Sequence, residues 1–372
     1  MNAHVFNVDD QTFPVHRDRG FCGIGKKDTP VHNFQQVLEE AKTFSGMLAD
    51  LRGTRPNDLV FFYESGRGYH GVYQIISPPF FDPQDVFGMG EFRGQKVGAG
   101  LPFRVLIRCI EYFPEPVPED LLFSTPAYEH VFWIPFYRKI QGPRGCITID
   151  PEARRTLLEL LIKVNGPPQH HEFSPFYCDS DLEAWQLPSP LGPIGLEDNG
   201  EGSVQGVQLL QVPLSPGKPV PLEDLLRGWL VSHLDDHSHV GLRRVFGPVS
   251  HIEWFANNVP YHVAKRNIDL LIYHRTPPGE LIDPPFRYRY SVVELKKDWA
   301  DPQTVEQVVG YARWVANRLA GGEVDIVRPC IVAKRFRPEA IELAKSIRFN
   351  RAGVQLVAYE VVGEDQIVLN YG

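Results

Sequence analysis

Residues 291–297 read Ser-Val-Val-Glu-Leu-Lys-Lys, and no other stretch narrows the possible folds so far. Val292, Val293 and Leu295 supply the apolar content of a buried strand, yet Glu294 and Lys296 stand in its middle. Two residues apart on an extended chain, these side chains point to one face. Upstream, Asn267 to Tyr273 is a second apolar run with a single carboxylate, Asp269. Two carboxylates and an ammonium inside a sheet are costly unless they pair with one another or with a metal. The pattern therefore predicts chemistry at these strands.

Beyond them, Asp301 to Leu319 carries Val305, Val308, Val309, Ala312, Val315 and Leu319 at helical spacing. Asp301 is a cap and Pro302 a first helical residue. Gln307 and Tyr311, four apart, share a helix face. An Asp, then Glu-x-Lys, then a helical Gln-x-x-x-Tyr resembles the core of the PD-(D/E)XK nuclease superfamily. The RecB-like branch and the C-terminal domain of NucS-type mismatch endonucleases are the nearer likeness. The resemblance runs from about Leu222 to Tyr359, with an opening helix at Leu222–Leu230 and a late strand at Pro329–Ala333. It implies a restriction-endonuclease-like α/β domain with a mixed central sheet.

The resemblance also implies site residues. Asp269 and Glu294 are the expected metal ligands, and oxygen donors with retained waters suit Mg²⁺, with Mn²⁺ able to substitute. The ion would neutralise charge at phosphorus and activate a water. Lys296 would orient that water or stabilise the transition state. Gln307 and Tyr311 would support the site. Glu223, on the opening helix, is where related enzymes often place a further carboxylate; a glutamate in a first helical turn is also favoured by the helix dipole alone. Glu253 is a lesser candidate on the preceding strand. His237, His239 and His251 lack metal-ligand spacing and read as surface histidines.

The chain's 372 residues are enough for two or more domains with cores of their own. No apolar run approaches the roughly 20 residues that cross a bilayer, and Met1 to Val15 lacks the pattern of a signal peptide. Five cysteines (Cys22, Cys109, Cys146, Cys178, Cys330) are scattered and never in Cys-x-x-Cys spacing. They predict neither a disulfide framework nor a zinc site and point to a reducing cytoplasm. The net charge of −8 argues against a nonspecific, high-affinity nucleic-acid binder, which is usually basic. Local basic surfaces remain, at Lys26-Lys27, Arg67, Arg287 with Arg289, and Lys334 to Arg337.

Proline and glycine concentrate between Asn165 and Pro221. This composition disfavours helix and sheet interiors and predicts an interdomain connector over 166–215, with Phe173, Phe176, Tyr177 and Trp185 available to dock it. The domains expected are 1–165 and 216–372. The first is predominantly β. Phe34 to Leu51 reads as a helix, and Asp58 to Tyr63 and Tyr69 to Ile76 form a hairpin about a turn at Glu64–Gly68. Leu101 to Ile110 is another strand, and Ile149 to Val164 closes the domain as a helix capped by Asp150-Pro151.

The run Asn57–Tyr63, followed by His70–Ser77 and Pro102–Ile107, resembles the PUA-like superfamily, in particular its EVE branch, related to YTH and ASCH domains. The family's Gly-Asp strand entry is Asn57-Asp58 here. The resemblance implies a small β-barrel with helices whose pocket accepts a modified or flipped-out base. A base slot needs aromatic faces and a few polar groups; Tyr63, Ser65, Tyr69 and Trp133 are the candidates, although strand aromatics are more often core than cage.

These readings combine into a metal-dependent DNA endonuclease, probing a modified or distorted duplex with its first domain and hydrolysing it with its second. That is the logic of modification-dependent restriction. The alternatives are a NucS-like repair nuclease acting on mismatched or damaged DNA, and a noncatalytic nucleic-acid-binding protein. Double-strand cutting would suggest a homodimer.

Overall fold

The computed structural model describes residues 2–26, 31, 33–83, 101–141, 144–171, 208–210, 212–262, 266–275, 288–351 and 353–371. The chain divides into two compact units, Met1–Leu210 and Gln211–Gly372. Most of the expected connector, residues 172–207, lies outside the described residues, as do Lys27, Cys178, Arg287 and the four aromatics proposed to dock it. Leu209 pairs with Phe80 in the first unit, whereas the Leu214 amide donates to the Glu364 carbonyl in the second. No described helix is long and apolar enough to cross a membrane. Cys22, Cys109, Cys146 and Cys330 are free thiols.

The first unit runs β1 (Ala3–Val8), α1 (Thr12–Arg19), β2 (Phe21–Ile24), α2 (Phe34–Glu39), α3 (Ala41–Leu51), β3 (Leu59–Glu64) and β4 (Gly68–Ile75). It continues with β5 (Phe80–Phe81), β6 (Phe103–Cys109), β7 (Val117–Pro118), α4 (Glu119–Phe123), α5 (Pro126–Glu129), α6 (Trp133–Gln141), β8 (Cys146–Ile149), α7 (Pro151–Asn165) and β9 (Gln208–Leu209). A curled sheet is ordered β8-β1-β3-β4-β6-β5-β9, with β2 added on β6 and β7 on β4. This is the barrel-like sheet with helices that the sequence predicts. β3 and β4 are buried along almost their whole length, which is why they read as continuous apolar runs rather than alternating ones.

The hairpin's entry explains the Asn57-Asp58 pair. Asn57 has φ 77°, a left-handed conformation that Asn tolerates better than other side-chain-bearing residues. Asp58 then accepts the Asn2 amide at 2.7 Å and the Arg55 amide at 3.0 Å, and meets His4 Nε2 at 3.0 Å. One buried carboxylate thus fixes β1 beside β3. The expected helix Phe34–Leu51 is two helices: Asn33 and Gln36 make a capping box, and the chain turns at Glu40, with ψ 33°, before α3 begins.

His16, on α1, is 1% exposed. Burial pushes its pKa down to about 4, with Arg104 adding to the depression, while the Phe21 carbonyl and Asp9 oppose it. Its folded pKa lies below the unfolded value near 6.5, so the stability that neutral His16 contributes is full above pH 6.5 and is lost as pH falls towards 4. Between pH 7 and pH 5 the loss is about 2 kcal/mol. Urea unfolding at the two pH values should show His16→Phe flattening the dependence by that amount; an unchanged slope would mean that His16 charges freely in the fold.

The second unit runs α8 (Glu223–His233), α9 (Val240–Phe246), β10 (Ile252–His262), β11 (Arg266–His274), β12 (Tyr290–Ala300), α10 (Pro302–Leu319), β13 (Val327–Phe336), α11 (Pro338–Ser346), β14 (Gln355–Gly363) and β15 (Gln366–Tyr371). Its six strands follow in chain order. β12, β13 and β14 are parallel neighbours, and the other pairs are antiparallel, so the sheet is mixed as expected. Parallel neighbours need crossovers, supplied here by α10 and α11. Asp301 caps α10 by accepting the Thr304 amide at 2.9 Å, with Pro302 at its first position, as the sequence predicts.

Alternation sorts the two sheet faces. Leu270, Ile272, Val293, Leu295, Cys330, Val332, Val357 and Tyr359 share one core with Leu226, Trp229 and Leu230 of α8 and Leu242 and Phe246 of α9. Residues 269, 294 and 296 therefore fall on the opposite face, the side of Tyr311 of α10, whose hydroxyl feels both carboxylates.

Candidate functional site

β11 and β12 pair only from Leu270–Val293 to Tyr273–Tyr290, and β12 then leaves its neighbour. Past that point the Leu295 amide donates at 2.8 Å to Asp269 Oδ2, so a side chain replaces the missing ladder acceptor. The parting strands form an open notch. Lys296 Nζ donates at 2.6 Å to Glu294 Oε1 and lies 4.0 Å from Glu223 Oε2. Gln307 Nε2 donates at 2.5 Å to the Tyr311 hydroxyl, whose ring meets Tyr261 edge to face at 4.8 Å. The structure thus brings the expected Asp269, Glu294, Lys296 and Glu223 together, with the Gln307–Tyr311 pair beside them.

Arg227 was not foreseen. It is 6% exposed, pairs with Asp224 at 2.6 Å and reaches to 3.8 Å from Asp269 Oδ1. A signal existed: an arginine four residues after Glu223, inside the otherwise apolar stretch Leu225–Leu230, has to bury its charge against an acid. Glu253 lies on β10, and the described histidines gather no metal cage with other side chains.

Charge is unbalanced in the notch. Asp269, Glu294 and Glu223 face Lys296 and Arg227, and Arg227 is already engaged by Asp224. Burial, and next the Asp269 charge, raise Glu294 to about 8 against the pull of Lys296. Asp269 is raised as well, by burial, with Arg227, the Leu295 amide and Lys296 opposing. Burial alone would lower the Lys296 ammonium, but Glu294 overrides it and the pKa rises. Glu294 Oε2 is buried without a hydrogen-bond partner. Such an oxygen calls for a proton, a cation or an ordered water. Its neighbour Asp269 keeps 20% of its side chain exposed, so solvent reaches the pair.

A divalent ion held through oxygen fits this donor set. Among the described residues no three His, Cys, Asp or Glu side chains converge on one point. Two protein carboxylates with water and substrate completing the shell suit Mg²⁺, which keeps several waters, better than an ion needing a full protein cage. A cavity of about 1250 Å³ lies elsewhere in the second unit, lined by Tyr288, Arg328, Ile341, Lys345 and Asn350, and includes none of these residues.

In the first unit, Tyr63 is half-buried; its hydroxyl donates to Glu119, and its ring lies 4.8 Å from that of Tyr69. Ser65 is exposed at the hairpin turn and hydrogen-bonds Tyr63. Tyr69 and Trp133 are each 3% exposed, Tyr69 within the core that also holds Phe61, Phe113 and Phe132. Tyr63, Ser65 and Tyr69 are thus together, with Tyr63 and Ser65 the accessible members. Unforeseen beside them is a buried polar group: His70 Nε2 meets Glu64 Oε2 at 2.8 Å, Arg67 pairs with the same carboxylate at 3.1 Å, and Phe13 stacks on His70 at 4.1 Å. A glutamate ending the apolar run 59–63 was its sequence signal.

No family model matches the chain, and no curated protein does. Solved structures similar to parts of it include a protein from Pseudomonas putida (16% identity, 43% of this chain, 99% of that one, TM-score 0.28). Human THYN1, solved with 5-methylcytosine-containing DNA, matches at 12% identity over 43% of this chain and 98% of that one, TM-score 0.27. EndoMS in its apo form matches at 20% identity over 30% of this chain and 43% of that one, TM-score 0.18.

Proposed function

We propose that the second unit hydrolyses DNA phosphodiesters with a divalent metal, and that the first unit reads a modified or distorted base. The observation that carries the hydrolytic reading is the strand fork, where Asp269, Glu294 and Lys296 converge and one Glu294 oxygen stays buried and unpartnered.

Asp269 and Glu294 hold the ion, which when bound neutralises phosphoryl charge and lowers the pKa of a water. The Lys296 ammonium, pinned by Glu294 at 2.6 Å, holds donors where charge grows on the reacting phosphoryl oxygens or on the attacking water. Arg227 acts from behind the site, limiting repulsion between Asp269 and Glu294 and keeping Asp269 turned to the fork. The Gln307–Tyr311 pair forms the wall along α10. In the first unit, the Tyr63 face and the Ser65 hydroxyl supply the ring and the polar group that a base slot needs.

The test is incubation of the full chain with plasmids that are unmodified, methylated, hydroxymethylated or mismatched, with Mg²⁺ or Mn²⁺. Cleavage confined to one modified class, and abolished by chelator, is the expected result. Cutting of mismatched DNA alone would transfer the reading to repair. Binding without cutting under every condition would leave a noncatalytic binder.

A further inference from the structure

On β12 the alternation that places Glu294 and Lys296 on one face would send the odd-numbered residue 299 to the other. The register shows otherwise. Lys296 lies opposite Ala333 and Trp299 opposite Arg335, three steps on β12 against two on β13. The register thus gains one residue on β12, as at a β-bulge, and such a shift re-aims the side chains beyond it. Since Cys330 and Val332 belong to the α8 core, Ala333 and Arg335 point to the opposite face, and Trp299 joins them there. The shift puts Trp299 on the face of Glu294 and Lys296, about 7–10 Å further along the strand.

Trp299 is 45% exposed, the largest exposed apolar side chain described in this unit, and it is not idle packing: the Arg335 guanidinium lies 5.4 Å from its ring centre. Arg335 is exposed beside it, and Arg337, whose amide donates to the Ala300 carbonyl at 3.0 Å, is exposed at the same strand end, near the Asp301 carboxylate that caps α10. In a chain of net charge −8, two exposed guanidinium groups thus stand at the strand end that carries the exposed indole.

We propose that Trp299, backed by Arg335, is a stacking platform for an unpaired nucleobase of the strand whose phosphate sits at Glu294 and Lys296. A polyanion fits the guanidinium groups and a flat, uncharged ring fits the indole, and a nucleic-acid strand with a base out of its duplex offers both. The platform rests on the hydrolytic reading for its position and specifies the substrate: DNA that is single-stranded or opened beside the cut. With Arg335 beside the ring, Trp299 stays 45% exposed to meet a base.

The experiment uses the full chain carrying Glu294→Gln, which leaves oligonucleotides intact, and fluorescence anisotropy with a short mixed-sequence DNA single strand and its fully paired duplex. Adding Trp299→Ala is expected to weaken single-strand binding on the order of 10- to 100-fold and leave duplex binding within about twofold, with Trp299→Phe retaining most of the affinity. Single-strand binding that is the same with and without the Trp299→Ala substitution, or equal losses for single strand and duplex, would overturn the platform. Thermal unfolding of the same proteins exposes a merely structural tryptophan, which would cost stability and no selectivity. Failure of the hydrolytic reading shows separately, as an unmodified chain that cuts nothing yet still binds single strands through Trp299.

Discussion

Glu294→Gln should reduce cleavage by about 10³-fold or more while leaving thermal stability equal to or above that of the parent protein. The two halves of this expectation come from the same observation. Glu294 is buried, raised to about 8 by burial and by Asp269, and left with one oxygen unpartnered, so its ionised form is costly in the folded chain. Glutamine keeps the shape and removes the repulsion. A carboxylate present only to pair with Lys296 would behave in the opposite way, because removing one member of a buried pair strands the other. Asp269→Ala should match the loss of cleavage, and Lys296→Ala should cost about 10²–10³-fold with metal binding retained. Single-turnover cleavage of the preferred plasmid, read beside a melting curve for each variant, checks both quantities. Substantial cutting by the Glu294→Gln protein, or a marked drop in its melting temperature, removes the metal site.

How far the sequence reveals this unit depends on the range of the forces involved. Residues Pro302–Leu319 could be bounded to the residue because a cap, a proline and a 3.6-residue period are all local. The shared face of Glu294 and Lys296 followed from the two-residue period of strands, whereas Asp269 joins them only through the pairing of β11 with β12. Trp299 escaped because a register shift offsets that period by one, and such shifts depend on the neighbouring strand rather than on the strand's own residues. Arg227 escaped because Asp269, the site carboxylate it approaches to 3.8 Å, lies on a different element from α8. In the first unit the hairpin was readable, but the parallel pairing of β1 with β3 was not: residues 3–8 meet residues 59–64 across intervening helices and a strand. The division of 34–51 at Glu40 was hidden for a different reason, since neither Gly nor Pro marks it and the apolar spacing continues across.

Inside the first unit, Asp82→Ala should cost about 3–5 kcal/mol of stability, the largest single loss expected there. Arg104 and Asp82 are both wholly buried, with Nη1 to Oδ2 at 2.8 Å. The guanidinium also donates from Nε to the Leu101 carbonyl at 3.0 Å and lies 4.9 Å from the Phe21 ring centre. Those contacts orient it without neutralising it, so deleting the carboxylate takes away the counter-charge that this buried cation holds at 2.8 Å. Arg104→Met alone should be damaging too, because the buried Asp82 then loses the guanidinium held at 2.8 Å. The pair as a unit contributes far less than either deletion suggests, since desolvating two charges offsets most of their attraction. Asp82→Leu combined with Arg104→Met should therefore recover most of the loss, and a double-mutant cycle built on Asp82→Leu, Arg104→Met and their combination should give a coupling of several kcal/mol. Urea unfolding of the four proteins supplies the cycle. Additive losses would mean that the two ions are stabilised independently, and that strands β5 and β6 are held together by their ladder and the surrounding phenylalanines rather than by this pair.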